Sequence, residues 1–112
     1  MVAGHSIYTS SDCGKIEKED SWYLESYQKN PGQAKTFVKH IEEGVEIVDR
    51  DEDALLLFSG GETRKDAGPR SEAQSYWAVA DYKGWFVAEI YKTMMFMLFN
   101  TKCCQIAAAA AL

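Results

Sequence analysis

Two short polar segments, far apart along the chain, carry residue types that bind small molecules. The first is Gly4-His5, and the second runs from Ser59 to Arg64. Consecutive glycines, here Gly60-Gly61, allow positive φ and a close approach of the backbone to an anionic or planar ligand. The lysine and the second serine or threonine of a phosphate-binding P-loop are absent. The alternative, that the two glycines only make a tight turn, stays open.

The connection that follows these glycines is dense in polar groups. Arginine offers a planar fork of donors suited to a carboxylate or a phosphate. A helix N-terminus predicted near Ser71 would add partial positive charge beside the arginines. A solvated loop with surface ion pairs is the competing interpretation. The polar side chains concerned are Glu62, Thr63, Arg64, Arg70, Ser71 and Glu72.

His5 and Glu72 are the candidates for acid or base chemistry. A histidine at the end of a strand could transfer a proton or donate a hydrogen bond, and a buried, hydrogen-bonded histidine is the plain alternative. His40 falls on the polar side of a predicted helix and is expected at the surface. Trp22 and Tyr23 are expected in the core, with a pocket wall as the second possibility.

The elements that must position these residues alternate between strand and helix. Apolar residues at helical spacing predict a helix from Gln33 to Val48, and Gly44 inside it indicates close packing. The apolar run Ala54–Phe58 predicts a strand that is buried on both faces, and a second helix is expected from Ser71 to Gly84. This alternation predicts a parallel sheet whose strands are joined by right-handed crossovers. Both ligand loops would then lie at one edge of the sheet. The predicted fold class is α/β.

Composition limits the function classes. The net charge is -5, and basic residues are scattered among acids, so neither nucleic acid nor a membrane surface is an expected partner. Cys13, Cys103 and Cys104 are odd in number and suggest no disulfide framework, which favours reduced thiols and a cytoplasmic location. The two histidines and three cysteines show no metal-binding spacing, so no metal is expected.

The C-terminal part differs from the rest. Residues 1–84 are interpreted as the N-terminal part of an α/β domain and 85–112 as a divergent apolar tail. The stretch from Trp85 to Phe99 contains Glu89 and Lys92 and is shorter than the roughly twenty apolar residues of a membrane span, so it is interpreted as a buried helix or strand. Self-association through Met94–Phe99 is the alternative.

Residues 2–80 carry a specific family resemblance. Leu56-Leu57-Phe58-Ser59-Gly60-Gly61-Glu62-Thr63-Arg64, followed by Ala67-Gly68-Pro69-Arg70-Ser71-Glu72-Ala73, is a long and unusual combination. Together with Ala3-Gly4-His5 it resembles the eukaryotic branch of the YdcF-like and SanA-like domain family. Members of that family are larger, so the resemblance implies that this chain is truncated.

The resemblance implies a Rossmann-like three-layer α/β/α sandwich with a parallel sheet, here incomplete. It also implies S-adenosylmethionine as a ligand, while no reaction is established across the family. Carried over position by position, the implied binding residues are Gly4, His5, Ser59, Gly60, Gly61, Thr63, Arg64, Arg70, Ser71 and Glu72.

Three functional hypotheses follow. The first is a domain that binds a nucleotide-like small molecule. The second is a hydrolase or transferase with His5 or Glu72 as base and Arg64 and Arg70 holding an anionic substrate. The third is a non-catalytic fragment whose apolar tail seeks another chain.

Overall fold

A computed structural model of the chain describes residues 1–62, 65–67 and 70–85. The strands are β1 (Val2–Ala3), β2 (Ile7–Tyr8), β3 (Trp22–Tyr23) and β4 (Phe58–Ser59), and the α-helices are α1 (Gln33–Asp49) and α2 (Glu72–Tyr82). Four short 3-10 helices occupy the connections, at Cys13–Lys15, Glu19–Ser21, Ser26–Gln28 and Lys65–Ala67. The described residues therefore form a mixed α/β structure.

Helix α1 confirms the prediction made from periodicity. It begins at the expected Gln33 and buries the apolar stripe that was expected to face inward: Ala34, Phe37, Val38, Ile41, Val45 and Val48. Its N-terminus follows Gly32, whose φ of 83° suits glycine. The Gly32 N–H donates to the Glu19 carboxylate at 2.9 Å, so a side chain from an earlier turn binds the residue that precedes the helix.

Strands β1 and β4 pair in parallel and are joined through α1. Val2 is in register with Phe58 and Ala3 with Ser59. Hydrogen bonds from the Val2 N–H to the Leu57 carbonyl (2.8 Å) and from the Gly4 N–H to the Ser59 carbonyl (2.6 Å) extend the pairing at both ends. This is the parallel pair that the alternation of apolar run and helix predicted.

Both helices cover the same face of this parallel pair. Val2 is buried against Gly44 of α1, and Phe58, its register partner, meets the ring of Tyr76 in α2. Because register partners point to the same side of a sheet, α1 and α2 lie together on the Val2–Phe58 face. Within the described residues the architecture is thus two layers, and the mixed α/β class is what the structure bears out.

The expectation that Ala54–Phe58 is buried on both faces was wrong. Leu56 and Phe58 are buried, whereas the Leu55 side chain is 49% exposed and Leu57 only half-buried. The regular strand is also shorter than predicted, at Phe58–Ser59. The reason is that the described helices cover one face, so the alternation of a strand leaves every second side chain outside.

Strands β2 and β3 form an antiparallel pair that the sequence did not predict. Ile7 pairs with Tyr23 and Tyr8 with Trp22. Two 3-10 turns lie between β2 and β3, and a third follows β3. Two-residue strands show no period from which they could be found.

Helix α2 confirms the predicted start and stop. Ser71 is its N-cap: the hydroxyl accepts from the Gln74 N–H at 3.0 Å, and the Gln74 side chain accepts from the Ser71 N–H at 2.8 Å. This capping box satisfies two backbone donors. The helix ends at Tyr82, and Gly84 follows with a φ of 68°. Neither described helix combines the length and the apolarity that a bilayer span requires.

Gly44 gives a first testable prediction. A Cβ at this position would collide with Val2 Cγ2 and lie 3.5 Å from Leu56 Cδ1. Overpacking costs about 1–3 kcal/mol, and the roughly 1 kcal/mol by which a helix favours alanine over glycine offsets only part of it. We therefore expect Gly44→Ala to lower the urea midpoint of unfolding. Combining it with Val2→Ala removes the colliding methyl group, so the double variant should lose less stability than the two single losses added together. Strict additivity would contradict the packing described here.

Candidate functional site

The parallel pair brings the two predicted ligand loops to one edge. Strand β1 ends in Gly4-His5 and β4 ends in Ser59-Gly60-Gly61, and the Gly4 N–H is bonded to the Ser59 carbonyl. We call this end of the pair the carboxyl edge. The prediction that both loops open on the same side of the sheet is confirmed, and this is where open parallel sheets bind ligands.

Helix α2 begins directly over the carboxyl edge, and the two loop glycines make room for it. A Cβ on Gly4 or on Gly60 would lie 2.6 Å from Glu72 Cβ, closer than any real contact. Gly60 also has a φ of 151°, a backbone conformation that residues other than glycine rarely adopt. Gly61 differs, because no described residue other than its chain neighbours lies within 4 Å of the Cβ it would carry. Gly4 and Gly60 therefore have a packing role, which Gly61 lacks among the described residues.

The backbone N–H groups in the first turn of α2, which have no acceptor within the helix, are bonded to other groups of the chain. Glu72 donates to the Gly61 carbonyl at 3.1 Å, and Ala73 donates to the Gly60 carbonyl at 3.3 Å. The Gln74 N–H bonds the Ser71 hydroxyl. The predicted attraction of an anion to this helix N-terminus therefore lacks the free donors on which such sites depend.

The other polar residues of this connection are placed differently from one another. Ser71 is buried as the helix cap, and Glu72 is buried with its carboxylate lying against Gly60. Arg70 is half-buried, and its Nη1 donates to the Tyr8 carbonyl at 3.2 Å, which ties the connection to β2. The predicted binding residues Thr63 and Arg64 lie outside the described residues.

Tyr76 joins α2 to the His5 loop. Its ring is fully buried, and its hydroxyl accepts a hydrogen bond from the backbone N–H of His5 at 3.2 Å. Burial raises the pKa of the Tyr76 hydroxyl far above its ordinary value, and the charge of Glu72 raises it further. The phenol therefore stays protonated throughout the physiological range. Nothing in the sequence pattern distinguished Tyr76 from an ordinary core residue.

His5 and His40 meet in a cleft beside this edge. Their imidazole centroids are 5.6 Å apart with an interplanar angle of 24°, and the ring of His40 also meets the edge of Tyr76 at 6.4 Å. The cleft has a volume of about 360 Å³. We call it the imidazole cleft, and its lining residues are His5, Tyr27, Gln28, Gln33, Thr36, Phe37 and His40.

The surface position expected for His40 was only half right. The side chain is half-buried and stacks on His5. Gln33, Thr36, Phe37 and His40 recur at i, i+3, i+4 and i+7, which places them on one stripe of α1. That spacing was a signal for His40, because Phe37 already marked the stripe as inward-facing.

The two interpretations made for Trp22 and Tyr23, core residue and pocket wall, each apply in part. Trp22 is a core residue, 4% exposed, and its indole N–H donates to the Ile16 carbonyl at 2.8 Å. Both residues also contribute to the wall of a second, wide cleft of about 700 Å³. In the part of the chain that the structure describes, no three His, Cys, Asp or Glu side chains lie close enough to share a metal ion.

Comparison with known proteins adds one relative. The chain is 33% identical to the uncharacterized protein YOR238W of Saccharomyces cerevisiae, over an alignment 86 residues long that covers 69% of the chain. It spans 28% of the length of that relative. No known family matches the chain, and no solved structure matches it.

Proposed function

We propose that the chain is part of an α/β domain that binds a nucleotide-like small molecule at the carboxyl edge. The observation that supports this most is the convergence of the Gly4-His5 loop, the Ser59–Gly61 loop and the imidazole cleft on that one edge. A concave site at the ends of parallel strands, lined by aromatic rings and a few polar groups, is typical of such ligands.

S-adenosylmethionine is the first ligand to test. The proposal rests on the Gly4-His5 and Ser59–Arg64 motifs and their resemblance to the YdcF-like and SanA-like family. The same resemblance leads us to propose the Rossmann-like three-layer sandwich as the complete fold. A cytoplasmic location belongs to the proposal as well, since the three cysteines suggest reduced thiols.

Thermal unfolding with and without the ligand tests this proposal. A ligand present at 100 times its Kd stabilises the folded state by about 2.7 kcal/mol, so the melting temperature of the chain should rise with S-adenosylmethionine or a nucleotide. Gly61→Val should remove that rise, because its side chain would occupy the place of the ligand. It should leave the fold intact, because no described residue other than the chain neighbours lies within 4 Å of a Cβ at this position. Lys83→Val is the matched control at the far, exposed end of α2. An equal rise in the wild type and in Gly61→Val would place the site elsewhere.

The hydrolase or transferase is retained as a second candidate because of one observation. The Glu72 carboxylate is buried against Gly60, next to the carboxyl edge, where a base would meet a bound substrate. If a turnover assay is found, Glu72→Gln and His5→Ala should change its pH–rate profile. A profile unchanged by both would rule out this assignment. Self-association through Met94–Phe99 lies outside the described residues.

A further inference from the structure

The imidazole cleft contains an ordered array of rings. The His5 ring stacks on His40 at 5.6 Å and lies 6.4 Å from Phe37 at an interplanar angle of 23°. Phe37 and His40 are one turn apart on α1, so both present their rings to His5 from a rigid helix. The cleft thus offers near-parallel aromatic planes, the arrangement on which another planar ring can stack.

The backbone of His5 is anchored, which fixes the point from which its exposed side chain extends. The backbone N–H donates to the Tyr76 hydroxyl at 3.2 Å, and the backbone carbonyl accepts from Gln28 Nε2 at 2.8 Å. Gln28 is itself fixed, because its Oε1 accepts from the Glu25 N–H at 3.0 Å. A platform positioned before the ligand arrives lowers the entropic cost of binding.

The walls of the cleft suit a neutral, polar-edged ring better than an anion. Among the described residues that line it there is no Asp, Glu, Lys or Arg. Gln28, Gln33 and Thr36 supply amide and hydroxyl groups that both donate and accept hydrogen bonds. A volume of about 360 Å³ lies within the range of small-molecule pockets, near its lower end.

We propose that the imidazole cleft is a stacking subsite for a planar heteroaromatic ring of the purine class, with His5 and His40 as its platform. This inference rests on the proposed function and specifies it: the base of the nucleotide-like ligand lies in the cleft, and its remaining groups extend toward Gly61. His40 thereby becomes a binding residue for the ring.

The fluorescent nucleoside 2-aminopurine riboside tests the subsite without any phosphate or carboxylate. Its fluorescence should be quenched when it stacks in the cleft. Base stacking on a side-chain ring is worth about 1–3 kcal/mol by alanine substitution, so His40→Ala should weaken binding about fivefold or more. Lys39→Ala is the matched control, since Lys39 neighbours His40 in the chain and its side chain is 61% exposed on the outer face of α1. It should bind like the wild type.

Proton NMR of the wild-type chain gives a readout that needs no variant to fold. The chain has two histidines, so their imidazole C–H resonances are few, and both sets are followed together without individual assignment. The nucleoside should shift both sets through its ring current. Tripolyphosphate should leave them in place, and a shift with tripolyphosphate alone would show that the cleft takes an anion, against the proposal.

The outcomes separate this inference from the proposed function. If a nucleotide stabilises the chain and Gly61→Val abolishes the effect, but His40→Ala binds it unchanged, the proposed function stands and the stacking subsite is overturned. If the nucleoside neither quenches nor shifts the imidazole resonances, the subsite is overturned as well. Quenching that depends on His40 and not on Lys39 supports it.

Discussion

Gly60→Ala is expected to destabilise the chain severely, and Gly4→Ala nearly as much. At Gly60 the added methyl group would lie 2.6 Å from Glu72 Cβ, and the backbone has a φ of 151°. A residue other than glycine in a sparsely populated backbone region costs of order 1–3 kcal/mol, and overpacking adds about 1–3 kcal/mol. Urea unfolding followed by circular dichroism measures the loss.

Gly61→Ala is the control for both variants. It adds the same methyl group one residue along the loop, where no described residue other than the chain neighbours lies within 4 Å. We expect its unfolding midpoint to match that of the wild type closely. If Gly60→Ala and Gly61→Ala unfold alike, then α2 does not begin against this loop, and the carboxyl edge described above is wrong.

Replacing Tyr76 is the second change with a large expected effect. Its ring is fully buried and meets the rings of Trp22, Phe37 and Phe58. Tyr76→Ala removes a large buried side chain, for which losses of about 3–5 kcal/mol are typical of aromatic residues. Tyr76→Phe keeps the ring and removes only the hydroxyl. It leaves the backbone N–H of His5 without its acceptor, which lowers the free energy of unfolding by about 1–3 kcal/mol.

The pH dependence of stability measures the effect of the Tyr76 hydroxyl in a second way. Because burial raises the pKa of Tyr76 in the folded chain, the unfolded chain releases this proton at lower pH than the folded chain does. The contribution of the protonated Tyr76 hydroxyl to the free energy of unfolding is complete below about pH 10. As pH rises above that value, the contribution falls by up to about 1.4 kcal/mol per pH unit. Tyr76→Phe should lack this part of the alkaline loss. We expect the difference in unfolding free energy between wild type and Tyr76→Phe to shrink above pH 10.

Tyr82→Phe provides the comparison for this pH series. Tyr82 lies at the end of the same helix and is 53% exposed. Removing its hydroxyl should leave both the neutral-pH stability and the alkaline slope close to those of the wild type. A Tyr76→Phe curve that stays parallel to the wild-type curve up to pH 11 would mean that Tyr76 titrates like an exposed tyrosine, contrary to its burial.

Several parts of the fold could be predicted from short-range patterns. The inward stripe of α1 and the Ser71 cap of α2 both depend on the spacing of residues about one helical turn apart. Such signals are local because helical periodicity and capping are local. The meeting of the two glycine loops followed from one further rule, that parallel strands joined by a helix end at the same edge.

The assignment of roles within the site could not be predicted in the same way. The sequence grouped Ser71, Glu72 and Arg70 as ligand-binding residues, whereas the structure uses the Ser71 hydroxyl as a helix cap and ties Arg70 to the Tyr8 carbonyl. Each of these side chains is chemically suited to either role. Which role it takes depends on the backbone groups that surround it in space.

The sequence by itself thus determined where α1 and α2 run, which face α1 buries, and that the Gly4 and Ser59–Gly61 loops share an edge. Only the tertiary structure decided that His40 stacks on His5, that Tyr76 holds the His5 loop, and that one face of the parallel pair stays uncovered among the described residues. The physical reason is the separation along the chain of the residues that interact. Helix periods and caps are set within a few residues, whereas the contacts between residues 5 and 40 or 5 and 76 exist only once the chain has closed long loops around a common core.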